Sequence, residues 1–280
     1  LNDDQVFVGV GSDDVLAMSF LTFFNSDKPV LFPDVTYSFY KVWADLFKVP
    51  FETPVLKEDF TIDVKDYEKE NGGVIFPNPN APTGVYMPLD QVEEILKANQ
   101  DVVVIVDEAY VDFAGPSALE LLDKYENLLV VQTFSKSRSM AGMRIGFAMG
   151  HPDPIRALND VKYSYNSYTM NLPSLLAGVE AVKDKEYFEK TIEKIVATRE
   201  HAKKRLTELG FTFPNSQSNF IFASHKSVPA EKIFEALKKE QIYVRYFKTP
   251  GLDNSLRISI GTDEEMDTLF RFLEAYLPNA

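Results

Sequence analysis

Four segments with side chains capable of chemistry each follow an apolar run of the sequence. They are residues 11–14, 76–84, 106–110 and 133–146. Such apolar runs are typical of buried strands, and open α/β sheets bind their ligands beyond the carboxyl ends of parallel strands. We therefore expect the four segments to meet at one edge of a sheet and to form one site.

The longest of these segments, 133–146, combines several hydroxyl groups with one lysine and two arginines. The amine of Lys136 could act as a nucleophile toward a carbonyl group. Arg144 and Ser135, together with a helix N-terminus, could bind a dianionic phosphate, because arginine offers a bidentate fork that lysine lacks. A solvated basic loop is the simpler alternative for the same residues.

The carboxylates of Asp107 and Glu108 follow a run of apolar residues and would be costly to bury unpaired. A cation such as a protonated ring nitrogen would suit Asp107, although an exposed loop aspartate explains this residue taken alone. Near the start of the chain, Gly11 permits a tight turn, and backbone N–H groups of Ser12 and Asp13 could hold a phosphate. Helix capping also explains that segment.

The segment 76–84 contains three prolines and two asparagines. Because prolines fix backbone torsions and remove hydrogen-bond donors, we expect a rigid turn here. Such a turn could present an asparagine amide to a ligand with little loss of entropy on binding.

The composition excludes several kinds of protein and site. A formal net charge of −13 argues against a general nucleic-acid or anionic-membrane binder, so an anionic ligand needs a local site. The absence of cysteine excludes disulfides, thiolate catalysis and iron–sulfur clusters, and three widely spaced histidines predict no metal site. No apolar stretch reaches about 18 residues and the first residues are acidic, which favours the cytoplasm.

Hydrophobic periodicity predicts alternating strands and helices in the first part of the chain, a pattern typical of a mostly parallel sheet. Candidate strands are Val30 to Phe32, Gly73 to Phe76, Val102 to Val106, Leu128 to Gln132 and Ile145 to Met149, and a further apolar run, Val6 to Val10, precedes the first helix. Candidate helices are Asp13 to Phe24, Ser38 to Phe47 and Leu89 to Ala98. After about Pro152 we expect two long helices, one with an apolar stripe from Phe188 to Leu209, and then a smaller α+β unit.

The ordered set of segments resembles the fold type I, pyridoxal-phosphate-dependent aminotransferases of class I and II. Besides the four segments above, the resemblance is carried by Thr36-Tyr37-Ser38-Phe39-Tyr40, Ser218-Asn219-Phe220 and the stretch from Leu256 to Thr262. It implies pyridoxal 5′-phosphate as cofactor and an α/β fold whose mostly parallel sheet is flanked by helices. The expected domains are a cofactor-binding large domain at 1–165, lacking its N-terminal part, and connecting helices with a small C-terminal α+β domain at 166–280.

The resemblance also implies three catalytic residues. Lys136 resembles the lysine that is joined covalently to the cofactor and that later moves a proton at the substrate. Asp107 resembles the acid that keeps the pyridine nitrogen protonated, so that the ring can accept electrons. Tyr110 would donate a hydrogen bond to the phenolic oxygen of the ring.

Further cofactor contacts follow from the same resemblance. The backbone N–H groups of Ser12 and Asp13, together with Ser135 and Arg144, would hold the cofactor phosphate. Tyr37 would stack on the face of the ring.

Asparagine and arginine positions complete the implied site. Ala81 stands where many relatives have an asparagine before Pro-Thr-Gly, so Asn80, or else Asn78, is expected to supply that contact to the ring. The implied substrate-binding residues are Arg245, Arg257 and Asn219, and two arginines suit a substrate phosphate better than a single carboxylate.

The resemblance implies a small-molecule amino donor, a keto acceptor and a homodimer, with no nucleic-acid or membrane partner. An aromatic-amino-acid aminotransferase and a phospho-amino-acid decarboxylase remain open, because both could use Lys136 and Asp107. An inactive cofactor-binding or dimerisation module is a third alternative. This alternative arises because members of the family carry an N-terminal arm, early helices and a tyrosine for the neighbouring active site before the Gly-Ser-Asp turn. The given sequence does not contain these parts.

Overall fold

The valine- and isoleucine-rich runs form one seven-stranded sheet in the computed structural model, which describes residues 1–280. Its strands are β1 (Val6–Gly9), β2 (Val30–Leu31), β3 (Phe51–Glu52), β4 (Gly73–Pro77), β5 (Val104–Asp107), β6 (Leu128–Thr133) and β7 (Gly146–Gly150). They lie in the order β1-β7-β6-β5-β4-β2-β3, and β7 alone runs antiparallel to its neighbours. The prediction of a mostly parallel sheet is confirmed.

The direction of β7 decides which loops can meet. Because β1 and β6 are both antiparallel to β7, they point the same way as the other parallel strands. The carboxyl ends of β1, β4, β5 and β6 and the amino end of β7 therefore lie along one edge of the sheet. All four chemically interesting segments begin or end at this edge.

Helices cover both faces of the sheet, which explains why its strands show no polar alternation. The helices are α1 (Ser12–Phe23), α2 (Phe39–Phe47), α3 (Leu89–Ala98) and α4 (Pro152–Tyr165). Ile75 and Ile105 pack into a core with Phe20, whereas their neighbours Val74 and Val104 pack on the opposite face. Each fully buried side chain of this kind stabilises the fold by about 1.5–3 kcal/mol.

The remainder of the chain is helical and antiparallel. It comprises α5 (Leu172–Lys183), α6 (Lys185–Glu208), β8 (Phe211–Thr212), β9 (Phe220–His225), α7 (Ala230–Lys239), β10 (Arg245–Tyr246), β11 (Leu256–Ser259) and α8 (Asp263–Tyr276). Its four strands lie in the order β10-β11-β9-β8. From Pro152 onward three helices, α4, α5 and α6, precede this small sheet, whereas two were expected. The helical stretch is interrupted after Tyr165 and again at Asp184.

Separate apolar cores support a division of the chain into two domains. The core beneath the small sheet draws its buried members from Ala202 onward, whereas the two cores of the large sheet end at Leu158. We propose that the boundary lies after Tyr165, as the sequence predicts. Of the expected apolar stripe on α6, Ala202 and Leu206 are fully buried, but Phe188 is only half-buried. None of the helices combines the length and apolar character needed to cross a bilayer.

Candidate active site

One cavity of about 160 Å³ lies at the edge of the large sheet where the four segments meet. Its wall contains eight of the twelve residues predicted from the sequence to form the site: Ser12, Asp13, Tyr37, Asp107, Tyr110, Ser135, Lys136 and Arg144. The order of the strands brings these residues together, although the chain separates the first and last by more than a hundred positions.

Asp107 is the last residue of β5 and is buried, with 4% of its surface exposed. The hydroxyl of Tyr40 donates to Asp107 Oδ2 at 2.7 Å, and the backbone N–H of Ala109 donates to Oδ1 at 3.2 Å. Burial raises the pKa of Asp107 to about 6, while these two hydrogen bonds and the charge of Lys136 act in the opposite direction. The interpretation of Asp107 as an exposed loop residue is therefore wrong.

Sequence reasoning missed Tyr40 as a residue of the site. Tyr40 belongs to α2 and is fully buried, so its hydroxyl reaches Asp107 from beneath the cavity. The signal was its position three residues after Tyr37, because that spacing places both rings on one side of the helix start. The Tyr37 hydroxyl donates to Asp13 Oδ1 at 2.9 Å, so each tyrosine orients one acid at the cavity.

Replacing Tyr40 with phenylalanine is expected to raise the pKa of Asp107 further above about 6. The buried carboxylate then loses a donor worth about 1–3 kcal/mol. Because its pKa in the folded protein exceeds the ordinary value of 3.8, Asp107 stabilises the fold most at low pH, and that stability is lost as pH rises toward about 6. In Tyr40→Phe this loss should extend to higher pH.

Chemical unfolding of the ligand-free protein at a series of pH values measures this effect. Tyr125→Phe is the matched control, because the Tyr125 hydroxyl donates to Glu93 at the surface rather than to the buried acid. Superimposable stability–pH curves for Tyr40→Phe and the unsubstituted protein would contradict the expectation.

The turn before α1 forms the second end of the cavity. Gly11 has a φ of 90° and no side chain to cap the helix that begins at Ser12, so the first N–H groups of α1 remain available to an anion. Arg144 lies over this turn, with Nη2 donating to the carbonyl of Val10 at 3.4 Å. A Cβ at Gly146 would lie 2.2 Å from the backbone nitrogen of Ser12, so β7 starts directly against the turn. This end of the cavity suits a dianionic group.

Replacing Gly11 with alanine is expected to disrupt that end in two ways. The added Cβ would lie 2.3 Å from Arg144 Nη2 and would displace the guanidinium, while the positive φ would remain strained. We expect the free energy of unfolding to fall by about 1–3 kcal/mol, measured by chemical denaturation. Gly142→Ala is the control, since a Cβ there meets nothing within 4 Å. Equal stability of the two variants would contradict this account.

Lys136 follows β6 and faces Tyr110 across the cavity. Its Nζ lies 5.4 Å from the centre of the Tyr110 ring. The next residue, Ser137, is buried and donates its hydroxyl to the carboxylate of Asp112, which lies two residues after Tyr110. The loops that carry the amine and the phenol are therefore tied together beside the cavity.

The second acid of the pair, Glu108, lies outside the cavity. Its carboxylate accepts hydrogen bonds from the Ser117 hydroxyl at 2.6 Å, the Ala118 N–H at 2.6 Å and the Gln132 amide at 2.8 Å. Burial raises the pKa of Glu108 to about 7 despite these donors. Glu108 thus fixes the loop after β5, while its neighbour Asp107 faces the ligand space.

The asparagines of the proline-rich turn differ from the expectation. The Asn78 amide exchanges two hydrogen bonds with the backbone of Met87, and Asn78 does not line the cavity. The Asn80 amide donates to the carbonyl of Val35 and to the Thr83 hydroxyl, and Ala81 rather than Asn80 lines the cavity. The predicted contact between Asn80 and a ring is therefore not supported by its placement.

The predicted substrate residues lie beyond the cavity, on the small sheet. Arg257 is 5.0 Å from the centre of the Phe220 ring, which in turn packs 5.1 Å from Tyr110. Arg245 is opposite Arg257 in the pairing of β10 with β11 and is exposed. The half-buried Asn219 precedes Phe220, and its carbonyl accepts the N–H of Ile260 at 2.9 Å. None of these three lines the cavity itself.

A sequence model of the family described as "Aminotransferase class I and II" matches residues 1–273. The chain belongs to this family. Class I and II aminotransferases use pyridoxal phosphate, and the amine, the buried acid and the anion-binding turn are arranged around one cavity as such a cofactor requires.

Within this family, the chain is similar to several histidinol-phosphate aminotransferases. It is 50% identical over 280 residues to the histidinol-phosphate aminotransferase of Brachyspira hyodysenteriae, covering 100% of this chain and 79% of that protein. It is 54% identical over 266 residues to the histidinol-phosphate aminotransferase of Clostridium acetobutylicum, covering 95% of this chain and 76% of that protein. Its fold matches the crystal structure of a histidinol-phosphate aminotransferase from Sinorhizobium meliloti in complex with pyridoxal-5′-phosphate, with a TM-score of 0.87 at 23% identity over 98% of this chain and 76% of that chain.

Proposed function

We propose that this protein transfers an amino group between L-histidinol phosphate and 2-oxoglutarate, yielding imidazole-acetol phosphate and L-glutamate in histidine biosynthesis. The observation that carries the proposal is the arrangement of Lys136, Asp107 and the anion-binding turn around one cavity. That turn is the one at Gly11, over which Arg144 lies. The substrate is supported by the relatives at about 50% identity, which are histidinol-phosphate aminotransferases.

The residues of the cavity fit pyridoxal phosphate by the chemistry of their donors and acceptors. Asp107 is a buried acid without a cationic hydrogen-bond partner of its own, so a protonated ring nitrogen would complete it. The free N–H groups of Ser12 and Asp13, with Ser135 and Arg144, suit the phosphate. A Cβ at Gly11 would collide with the Arg144 guanidinium, so only glycine lets the turn and Arg144 approach the same group closely.

When bound, pyridoxal phosphate supplies a carbonyl for the amino group and a ring that accepts the electron pair left at the substrate carbon. Lys136 Nζ would hold the carbonyl end of the cofactor, and its freed amine would take the proton from the substrate Cα and deliver it to the cofactor carbon that carried the carbonyl. Asp107 would keep the ring nitrogen protonated. Tyr110 would donate its hydroxyl hydrogen toward the phenolic oxygen, and Tyr37 would lie against the ring.

We assign the proposed substrate end to Arg257 and Arg245, which lie opposite each other in the small sheet, and to Asn219 before β9. The Nε atom of Arg257 is buried and has no hydrogen-bond partner within the chain, which favours a ligand as its acceptor. Two adjacent guanidinium groups suit a phosphate dianion better than a carboxylate. The relatives favour this substrate over the aromatic and decarboxylation alternatives.

We also propose that the protein is a cytoplasmic homodimer. Helix α5 carries an exposed apolar face that no other part of the chain covers: Leu172, Leu175, Leu176, Val179 and Val182. A patch of this kind on a monomer would be costly in water, and a second copy is its proposed occupant. Light scattering of the purified protein should give twice the chain mass of 31.7 kDa.

The absorbance spectrum of the purified, cofactor-loaded protein tests the function. Addition of L-histidinol phosphate should convert the aldehyde form of the cofactor to its amine form, and 2-oxoglutarate should reverse the change with formation of glutamate. Conversion by phenylalanine alone would favour the aromatic enzyme, and release of carbon dioxide would favour a decarboxylase. Bound cofactor that responds to no amino donor would indicate an inactive module.

A further inference from the structure

Arg199 is a buried arginine of α6 to which neither the sequence motifs nor the proposed chemistry assigns a role. Its side chain is 6% exposed. Nη1 donates to the carbonyl of Phe113 at 2.9 Å and to the carbonyl of Ser218 at 3.1 Å, and Nε donates to Glu200 at 2.9 Å. One guanidinium therefore joins a loop of the large sheet to the strand entry of the small sheet.

The first of these carbonyls belongs to the short 3-10 turn Val111–Phe113, which follows Tyr110. Asp112 in the same turn accepts the hydroxyl of Ser137, the residue after Lys136. The turn thus holds both the phenol and the amine loop at the cavity. Arg199 fixes the far end of this turn.

The second carbonyl, that of Ser218, lies at the entry to β9. Phe220 opens β9 and packs against Tyr110, and Arg257 lies over the Phe220 ring. Arg257 is also paired with Phe222 in the register of β9 and β11. The position of the Ser218 carbonyl therefore determines where the strand that supports Arg257 begins.

We propose that Arg199 is a positioning residue that sets the separation between the Lys136 amine and the Arg257 guanidinium. This inference rests on the proposed function, because the separation matters only to an amino donor with an anionic group at its far end. Arginine suits the task because Nη1 donates to both carbonyls while Nε donates to Glu200, which fixes the plane of the rigid guanidinium.

The test measures equilibrium binding of two ligands to the cofactor-loaded protein by spectral titration: L-histidinol phosphate and the same amino alcohol without phosphate. Arg199→Met should weaken binding of the phosphorylated ligand about tenfold and of the other ligand less than twofold. Arg199→Lys keeps a cation but loses the planar fork, and should weaken phosphorylated-ligand binding about threefold. Arg205→Met is the control, because Arg205 lies on the same helix and pairs with Glu208 and Glu274 at the surface.

A double-mutant cycle with Arg257→Met separates positioning from a general structural role. If Arg199 acts through Arg257, Arg199→Met should weaken phosphorylated-ligand binding less than twofold further in the Arg257→Met background. Equal weakening in both backgrounds, or equal weakening for both ligands, would overturn the inference. If Arg199→Met does not fold, the same two comparisons are made with Arg199→Lys. Failure of the unsubstituted protein to bind L-histidinol phosphate would instead overturn the proposed function and this inference with it.

Discussion

Replacing Lys136 with alanine is expected to lower the rate of the amino-donor half-reaction by at least roughly 10⁴-fold. Lys136 is the only lysine in the cavity wall, so its loss removes both the covalent attachment and the base at the substrate carbon. The second readout is intact mass after treatment of the loaded protein with borohydride. The unsubstituted chain should carry the cofactor as a fixed adduct, and Lys136→Ala should not.

The control for this experiment is Lys97→Ala, which removes a surface amine that pairs with Glu93. Its half-reaction rate and its adduct should match those of the unsubstituted protein. Peptide mapping that found the adduct on another lysine in the unsubstituted protein would refute the assignment of Lys136.

The second large effect is expected for Asp107→Asn, which should lower kcat about 100- to 1,000-fold. The amide keeps the shape of the side chain, but it cannot supply the negative charge that holds a proton on the ring nitrogen. The substitution should also remove the part of the pH dependence of ligand-free stability that arises from Asp107, whose pKa is raised to about 6 by burial. Steady-state kinetics and chemical unfolding measure the two effects.

Asp123→Asn, an exposed acid on the same domain, is the matched control and should change neither quantity. Activity of Asp107→Asn within tenfold of the unsubstituted protein would mean that another group supports the ring nitrogen. Asp107 would then be a structural acid held by Tyr40 and Ala109.

Local patterns predicted the elements around the site closely. The helix Leu89–Ala98 was predicted with its observed bounds, because Pro88 marks its start and its apolar residues recur at helical spacing. Each predicted strand of the large sheet overlaps an observed one. The antiparallel direction of β7 could not be predicted from its own residues, since direction depends on the path of the loop before it.

The environment of individual side chains was harder to predict than the elements that carry them. The environment of Asp107, at the end of β5, depends on Tyr40, which lies on α2 and reaches the acid only once that helix packs on the sheet. The Asn80 amide is used by Val35, a residue of a different loop. Arg199 lies in a long charged helix, where an arginine is ordinarily exposed. In each case a partner distant in sequence decides the outcome.

The antiparallel direction of β7 determines where this protein can tolerate insertions and deletions. Because β6 and β7 run in opposite directions, the stretch from Phe134 to Ile145 leaves the sheet and returns to it on the same rim. The number of residues in this stretch therefore helps to set the distance between the amine of Lys136 and the guanidinium of Arg144. A single added or deleted residue in this excursion would shift one against the other, whereas connections on the opposite rim can lengthen without changing that spacing.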